Sequence, residues 1–365
     1  MASPAPSAST PNGPSIWGVS DGRAGNAAQV RAVMRALASP GRWMQIAHIA
    51  GEGHHEAPIT LSPRAPWTLL PGSNWPLPLR ALPAEERTLF QPPWPDVWIA
   101  AGRRSAPYTR LIRDLSGGKT LTVQILDPKT DPENFDLLVV PEHDGLTGAN
   151  VIQTVGSPSH FAPDDIEAAG QAFADLADEA GQSCIVILGG DSRAHTFTEE
   201  AANHLASQLE TLAQQKWRLR ITTSRRTPVP VIAKMRALAD RIGARFWAGP
   251  EDGANPYLAW LIYSDAAIVT EDSANMLSDA AWHGLPVHIA RLKGSSPKFD
   301  RLHESLIARG CARWFEGELD LWTYPPLREA ARVADAIVAR LLERHPQPAM
   351  KGEQEQSVVL PDWLE

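Results

Sequence analysis

Along the chain, short and almost continuous apolar runs alternate with longer segments in which apolar residues recur every three or four positions. The short runs lie at 16–19, 97–101, 121–126, 135–140, 183–188, 217–222, 245–248 and 268–270, with further short strands at 151–155 and at the re-entry after Gly284. The most continuous stretches, such as 97–101 and 137–140, suit strands buried on both faces of a parallel sheet. Segments of helical period at 27–38, 106–115, 163–179, 197–214, 229–242, 257–264, 274–282, 299–309 and 327–343 fall between them. Alternation of this kind predicts an α/β chain with helices over both sheet faces and ligands beyond the carboxyl ends of the strands. The Pro- and Trp-rich stretch from 41 to 95 interrupts the pattern, with 44–49 read as a strand and 69–79 as a turn-rich loop.

At 365 residues the chain is long for one core, and 43% hydrophobic residues are enough for two. The expected division is a tail at 1–15, an N-terminal Rossmann-like domain at 16–160, a connecting helix at 161–180 and a C-terminal Rossmann-like domain at 181–326. A last helix at 327–345 would cross back to the first domain, ahead of a polar tail at 346–365.

Charge and composition then remove several classes of function. A formal charge of -8 argues against a nucleic-acid partner, so any phosphate chemistry must rest on local groups. Cys184 and Cys311 stand far apart, which excludes a disulfide framework and fits a reducing compartment. The opening MASPAPSASTPNGPS has neither a basic nor an apolar region of a secretory signal, and no apolar run reaches the roughly 18 residues of a membrane span. The expected location is the cytoplasm, with peripheral contact at the inner membrane left open through the Trp/Pro-rich 64–95 stretch. Glu52, His54, His55 and Glu56 could ligate a metal, but their spacing matches no zinc pattern; no metal site and no cofactor are expected.

The chemistry concentrates at strand ends. Thr223-Ser224-Arg225-Arg226 ends one strand, and two hydroxyls followed by two planar guanidiniums suit a phosphate. Gly189-Gly190-Asp191-Ser192-Arg193 ends another, either as a plain tight turn or as a cradle of backbone N–H groups with Arg193 for a pyrophosphate. In Ile268-Val-Thr-Glu-Asp-Ser273, a strand turns into a helix whose N-terminus would attract an anion near Ser273. Near the start, Gly22, Arg23 and Gly25 form a turn that lets backbone approach a ligand but lacks the full dinucleotide fingerprint. His143, between Glu142 and Asp144, reads either as a general base oriented by a carboxylate or as an ordinary loop histidine. Asn255-Pro256-Tyr257 could cover a planar base.

Two resemblances join these pieces. The segment IVTEDSANMLSDAAWHGLPVHI, from 268 to 289, resembles the donor-sugar segment of two-domain GT-B glycosyltransferases. FDLLVVPEHDGLTGANVIQTVGSP, together with WGVSDGRAGNAAQ, resembles the mitochondrial-fission family of the elongated-mitochondria type, first known from plants and with bacterial members. That likeness runs from residue 16 to about 342 and implies a GT-B-like fold, two Rossmann-like domains facing a central cleft.

The resemblance implies a metal-independent glycosyltransferase with a nucleotide-sugar donor. Gly189, Gly190, Arg193, Ser224, Arg225, Arg226 and Ser273 would then hold the diphosphate. Glu271, Asp272, Asn275 and Asp279 would hold the sugar, Asp279 standing where many such enzymes carry Glu. His143 or Asp21 would be the base, and the acceptor is open between a lipid and a glycan. The competing reading from the same family is a non-catalytic scaffold for membrane fission. A third, a nucleotide-sugar epimerase, would draw on Glu142, His143, Asp144 and Glu271.

Overall fold

A computed structural model describes residues 13–51, 55, 57–70 and 74–346. Strands β1 (Ile16–Ser20), β2 (Ile59–Thr60), β3 (Val97–Ala101), β4 (Leu121–Ile125), β5 (Leu137–Pro141) and β6 (Val151–Thr154) form a parallel sheet in the order β2-β1-β3-β4-β5-β6. Helices α1 (Ala24–Leu37), α2 (Pro40–Ile46) and α3 (Ala106–Leu115) cover it. Beyond α4 (Pro163–Ala172) come β7 (Ser183–Leu188), β8 (His195–Thr196), α5 (Glu199–Gln214), β9 (Arg218–Thr223), α6 (Val229–Ile242), β10 (Arg245–Trp247) and α7 (Tyr257–Ile262). They are followed by β11 (Ala266–Thr270), α8 (Ala274–His283), β12 (Val287–Ala290), β13 (Lys293–Gly294), α9 (Pro297–Ala308), β14 (Ala312–Trp314) and α10 (Glu329–Arg344). The second sheet is also parallel, in the order β10-β9-β7-β11-β12-β14.

The chain is thus α/β with two Rossmann-like domains across a cleft, the GT-B-like arrangement. The uniformly apolar strands have a direct cause: every residue of β3, β5, β7 and β11 is buried, because each sheet carries packing on both faces. In the first domain Val30, Val33 and Leu37 of α1 pack with strand residues and with Val333, Ile337 and Leu341 of α10. The last helix therefore completes the core of the first domain after the chain has finished the second.

Several local expectations change. The 44–49 strand is instead α2, which starts at Pro40 where the missing N–H costs nothing, and Arg42 is held by Asp335 of α10 at 2.6 Å. The long connecting helix stops at Ala172; Phe173 leaves helical geometry and a 3-10 turn, Ala174–Leu176, buries Leu176. The Trp/Pro stretch is clamped by Trp75 and Phe90 against Tyr108, with ring centroids at 6.1 and 5.7 Å. The two-residue pairing of β8 with β13 carries no sequence signal of its own. Of the 52–56 cluster only His55 lies within the described residues, edge-on to Trp17 at 5.2 Å. Residues 1–12 and 347–365, most of the two expected tails, lie outside the described residues.

The domains meet on two sides. On one, α9 closes on the 3-10 turn Glu142–Asp144 through Arg309–Glu142 at 3.0 Å and Lys298–Asp144 at 2.8 Å. On the other, α1 and the 155–161 connector touch α8: Gln29 Nε2 donates to Asn275 at 3.3 Å, and the Ser157 N–H to Ser278 Oγ at 2.9 Å.

Candidate functional site

Strand order reverses between β7 and β11, where an α/β sheet normally opens a ligand crevice. Here the chain's own side chains fill it. Thr270 Oγ1 accepts the Gly189 N–H at 2.7 Å, and Asp272 accepts the Gly190 N–H at 2.9 Å and Arg226 Nη2 at 2.7 Å. The Asp272 side chain is fully buried, and a Cβ on Gly189 would overlap it. Four of the expected ligand residues are engaged in this knot: the Gly189 and Gly190 N–H groups are taken, the Asp272 side chain is buried within it, and Arg226 is anchored to Asp272 and to the Gly190 and Asp191 carbonyls.

Open space lies beside the knot, in an interdomain cavity of about 590 Å³. Its C-terminal wall is Thr223, Ser224 and Arg225 at the end of β9, the first turn of α8, and Trp247 with Tyr257. Its N-terminal wall is α1, which contributes Gly25, Gln29, Arg31 and Arg35, with Ser159 and His160 of the connector at the base. Four arginines line it (31, 35, 225 and 226) and Asp279 is the lining acid. In a chain of formal charge -8 this is a local concentration of positive charge.

The polar groups differ in how far they are committed. Arg225 is exposed and forms no ion pair with any described residue, unlike its neighbour Arg226. Thr223 Oγ1 and Gln29 Oε1 are buried without a hydrogen-bond partner. Ser273 caps α8 by accepting the Met276 N–H at 3.5 Å, while the N–H groups of Ala274 and Asn275 precede the first intrahelical bond. Opposite them α1 begins with no side-chain cap, and Gly25 comes so close that a Cβ there would sit 2.8 Å from Asn275 Nδ2.

Asp279 accepts from Ser159 Oγ at 2.6 Å and from Tyr257 Oη at 3.0 Å. Burial lifts its pKa to about 6, against which these two hydrogen bonds work. One lone-pair site on each oxygen is spent internally, so Asp279 has less to offer a sugar than its position in the sequence predicts. His160 is held below its ordinary pKa by burial and then by Arg42, Arg35 and Arg328.

Other sequence candidates lie outside the cavity lining. His143 is 3% exposed beneath α9, where Arg301 binds its carbonyl oxygen at 2.9 and 2.7 Å; burial, then Lys298, pulls its pKa to about 4. It is not placed to serve as a base in this cavity. The Asp21 side chain is 2% exposed and occupied by Asn26 Nδ2 at 2.8 Å and the Arg23 N–H at 3.3 Å. Gly22 and Arg23 belong to that turn and not to the lining, and Arg193 is exposed on the loop before β8. Glu271 accepts the Leu292 N–H at 2.5 Å and faces His195 at 4.0 Å; burial raises its pKa.

Gly25, Ser224, Arg225, Arg226, Ser273, Asn275 and Asp279 are brought together, and Tyr257 with them. Sequence reasoning passed over Arg31, Arg35 and the connector residues Ser159 to Phe161. The available signal was the i, i+4 spacing of two arginines on a helix that carries no acid. Among the described residues, no group of three or more His, Cys, Asp or Glu is arranged to hold a metal, and no helix is long and apolar enough to cross a membrane.

Comparison with known proteins adds relatives. The sequence model of the family described as Mitochondrial fission ELM1 matches residues 24–341. The mitochondrial fission protein ELM1 of Arabidopsis thaliana is 27% identical over 286 residues, 71% of this chain, and the match spans 66% of the Arabidopsis protein's length. An uncharacterized protein of Rickettsia prowazekii is 28% identical over 285 residues, 67% of this chain and 79% of the other. Among solved structures, MurG of Acinetobacter baumannii aligns with a TM-score of 0.44 at 13% identity, over 91% of this chain and 92% of that one. An O. sativa protein solved in complex with UDP aligns with a TM-score of 0.45 at 14% identity, over 90% and 94% of the two chains.

Proposed function

The chain belongs to the Mitochondrial fission ELM1 family, and from that premise we propose that it binds a nucleoside diphosphate sugar in the interdomain cavity and transfers the sugar without a metal. The observation that carries this reading is Arg225: it lines the cavity exposed and without an ion pair among the described residues, next to the unpartnered Thr223 hydroxyl and the start of α8, while its neighbour Arg226 is spent on Asp272. A diphosphate would be held by the Arg225 fork, the unpartnered Thr223 hydroxyl, Ser224 and the first N–H groups of α8. These same donors would stabilise the charge that gathers on the diphosphate as it leaves, the task a metal would otherwise serve. Trp247 and Tyr257 offer ring surface for the base, and Asn275 offers its amide to the sugar.

The first test is calorimetric titration of UDP, GDP, CDP and CMP, with and without EDTA. One nucleoside diphosphate is expected to bind regardless of EDTA, and Arg225→Ala to weaken it roughly 10- to 100-fold. No binding by any of the four would overturn the reading. Incubation with sugar conjugates of the bound nucleotide then asks for its release.

A second reading, a ligand-binding scaffold without transfer, is favoured by the burial of His143 and Asp21 away from the cavity. It keeps nucleotide binding but expects no sugar release with any conjugate. A role in fission, which the Arabidopsis relative's name carries, belongs with this alternative.

A further inference from the structure

The connector end of the cavity is more positive than one diphosphate requires. Arg31 and Arg35 line it from α1, in the domain opposite Arg225. Arg31 is exposed and makes no ion pair or hydrogen bond with any described residue, whereas Arg35 is paired with Asp165. Just behind, Arg42 is paired with Asp335, and Arg328 lies over the Trp282 ring at 4.5 Å and donates to the Trp282 and Leu327 carbonyls, with no carboxylate partner among the described residues. Among the described residues Arg31, Arg35, Arg42 and Arg328 thus stand near Asp165, Asp335 and Asp279, and the neighbouring His160 has its pKa lowered by burial first and then by Arg42, Arg35 and Arg328.

Position separates this group from the diphosphate. A helical rise of about 1.5 Å per residue puts Arg31 roughly 9 Å along α1 from Gly25, where that helix meets Asn275 and the start of α8. Arg31 and Arg225 thus reach the cavity from opposite domains, Arg31 well along α1 from the contact with α8. We propose that the cavity takes a second anion beside the nucleotide: a co-ligand bearing a phosphate or carboxylate that Arg31 binds, backed by Arg35. This rests on the nucleotide reading above and gives the acceptor a chemical class. A planar guanidinium meets either oxyanion bidentately, so the two are separated by probe.

The experiment titrates inorganic phosphate, and separately acetate, into protein saturated with its nucleotide, for wild type, Arg31→Glu and Arg31→Gln. One anion is expected to bind while the nucleotide stays bound. Arg31→Glu should weaken that anion about tenfold or more and change nucleotide affinity less than about threefold; the Gln variant covers any folding defect of Glu. The proposal is overturned if neither anion binds at concentrations on the order of 10 mM, if the anion displaces the nucleotide, or if both Arg31 variants bind it as wild type does. Absence of nucleotide binding in wild type would instead sink the function proposed above. Phosphate titrated into nucleotide-free protein then tests the second subsite separately: weakening in Arg31→Glu but not in Arg225→Ala supports it, and indifference to Arg31 overturns it.

Discussion

Gly25 of α1 and Asn275 of α8 meet across the cleft, where a Cβ on Gly25 would lie 2.8 Å from the Asn275 amide nitrogen. The contact brings the starts of two helices from different domains together, and Gln29, one turn along α1, donates to the same Asn275 at 3.3 Å. In an isolated helix, Gly→Ala gains about 0.5–1 kcal/mol. Here Gly25→Ala is expected to lose that gain to the clash, leaving unfolding stability within about 1 kcal/mol of wild type while nucleotide affinity falls roughly tenfold. Unchanged affinity in the titration would show that the close approach serves packing alone.

Arg225 and Arg226 should separate cleanly. Arg225→Ala is expected to leave unfolding stability within about 0.5 kcal/mol of wild type, because its side chain is exposed and forms no ion pair among the described residues. Arg226→Ala removes the counter-charge of the buried Asp272 and is expected to cost about 3 kcal/mol, read from urea unfolding. Equal stability of the two variants would contradict the description of the knot.

Asp279 sets a pH dependence. Its folded pKa of about 6 lies above the ordinary carboxylate range, so between roughly pH 4 and 6 the folded state binds more protons than the unfolded state. This carboxyl therefore contributes most at acid pH, and its contribution falls as pH rises through that window, by on the order of 3 kcal/mol. Subtracting the melting curves of Asp279→Asn from those of wild type across this range should leave a difference that declines with pH. A flat difference would place the Asp279 pKa near its ordinary value.

His143 is expected to matter for stability and not for turnover. His143→Ala empties a buried position under α9 and should cost about 1–3 kcal/mol in urea unfolding, while any sugar release keeps its rate. A large fall in kcat with stability intact would restore His143 as a base.

Much of the architecture was legible because burial on both faces of a parallel sheet favours apolar residues at most strand positions. β3, β5 and β7 appear within a residue or two of where their runs predict. The pattern failed at α2, where a Ser-Pro start outweighed a short apolar run, and at the pairing of β8 with β13, two residues long and held by distant neighbours.

The anion-binding character of the strand ends was likewise written into local sequence: Ser224, Arg225 and Ser273 are polar residues at the turns where an α/β chain exposes backbone donors. Which of them face open space was not, because that depends on partners far along the chain. Asp272 reaches back to Gly190 and Arg226, 82 and 46 residues away, and claims both. Arg301 and α9 cover His143 from 158 residues away, and α1, which carries Arg31, is packed against the first sheet and α10. Periodicity and turn chemistry are short-range, and they specified the elements and their polar ends. Charge pairing and burial act between elements, so the division between free and committed residues came only with the packed chain.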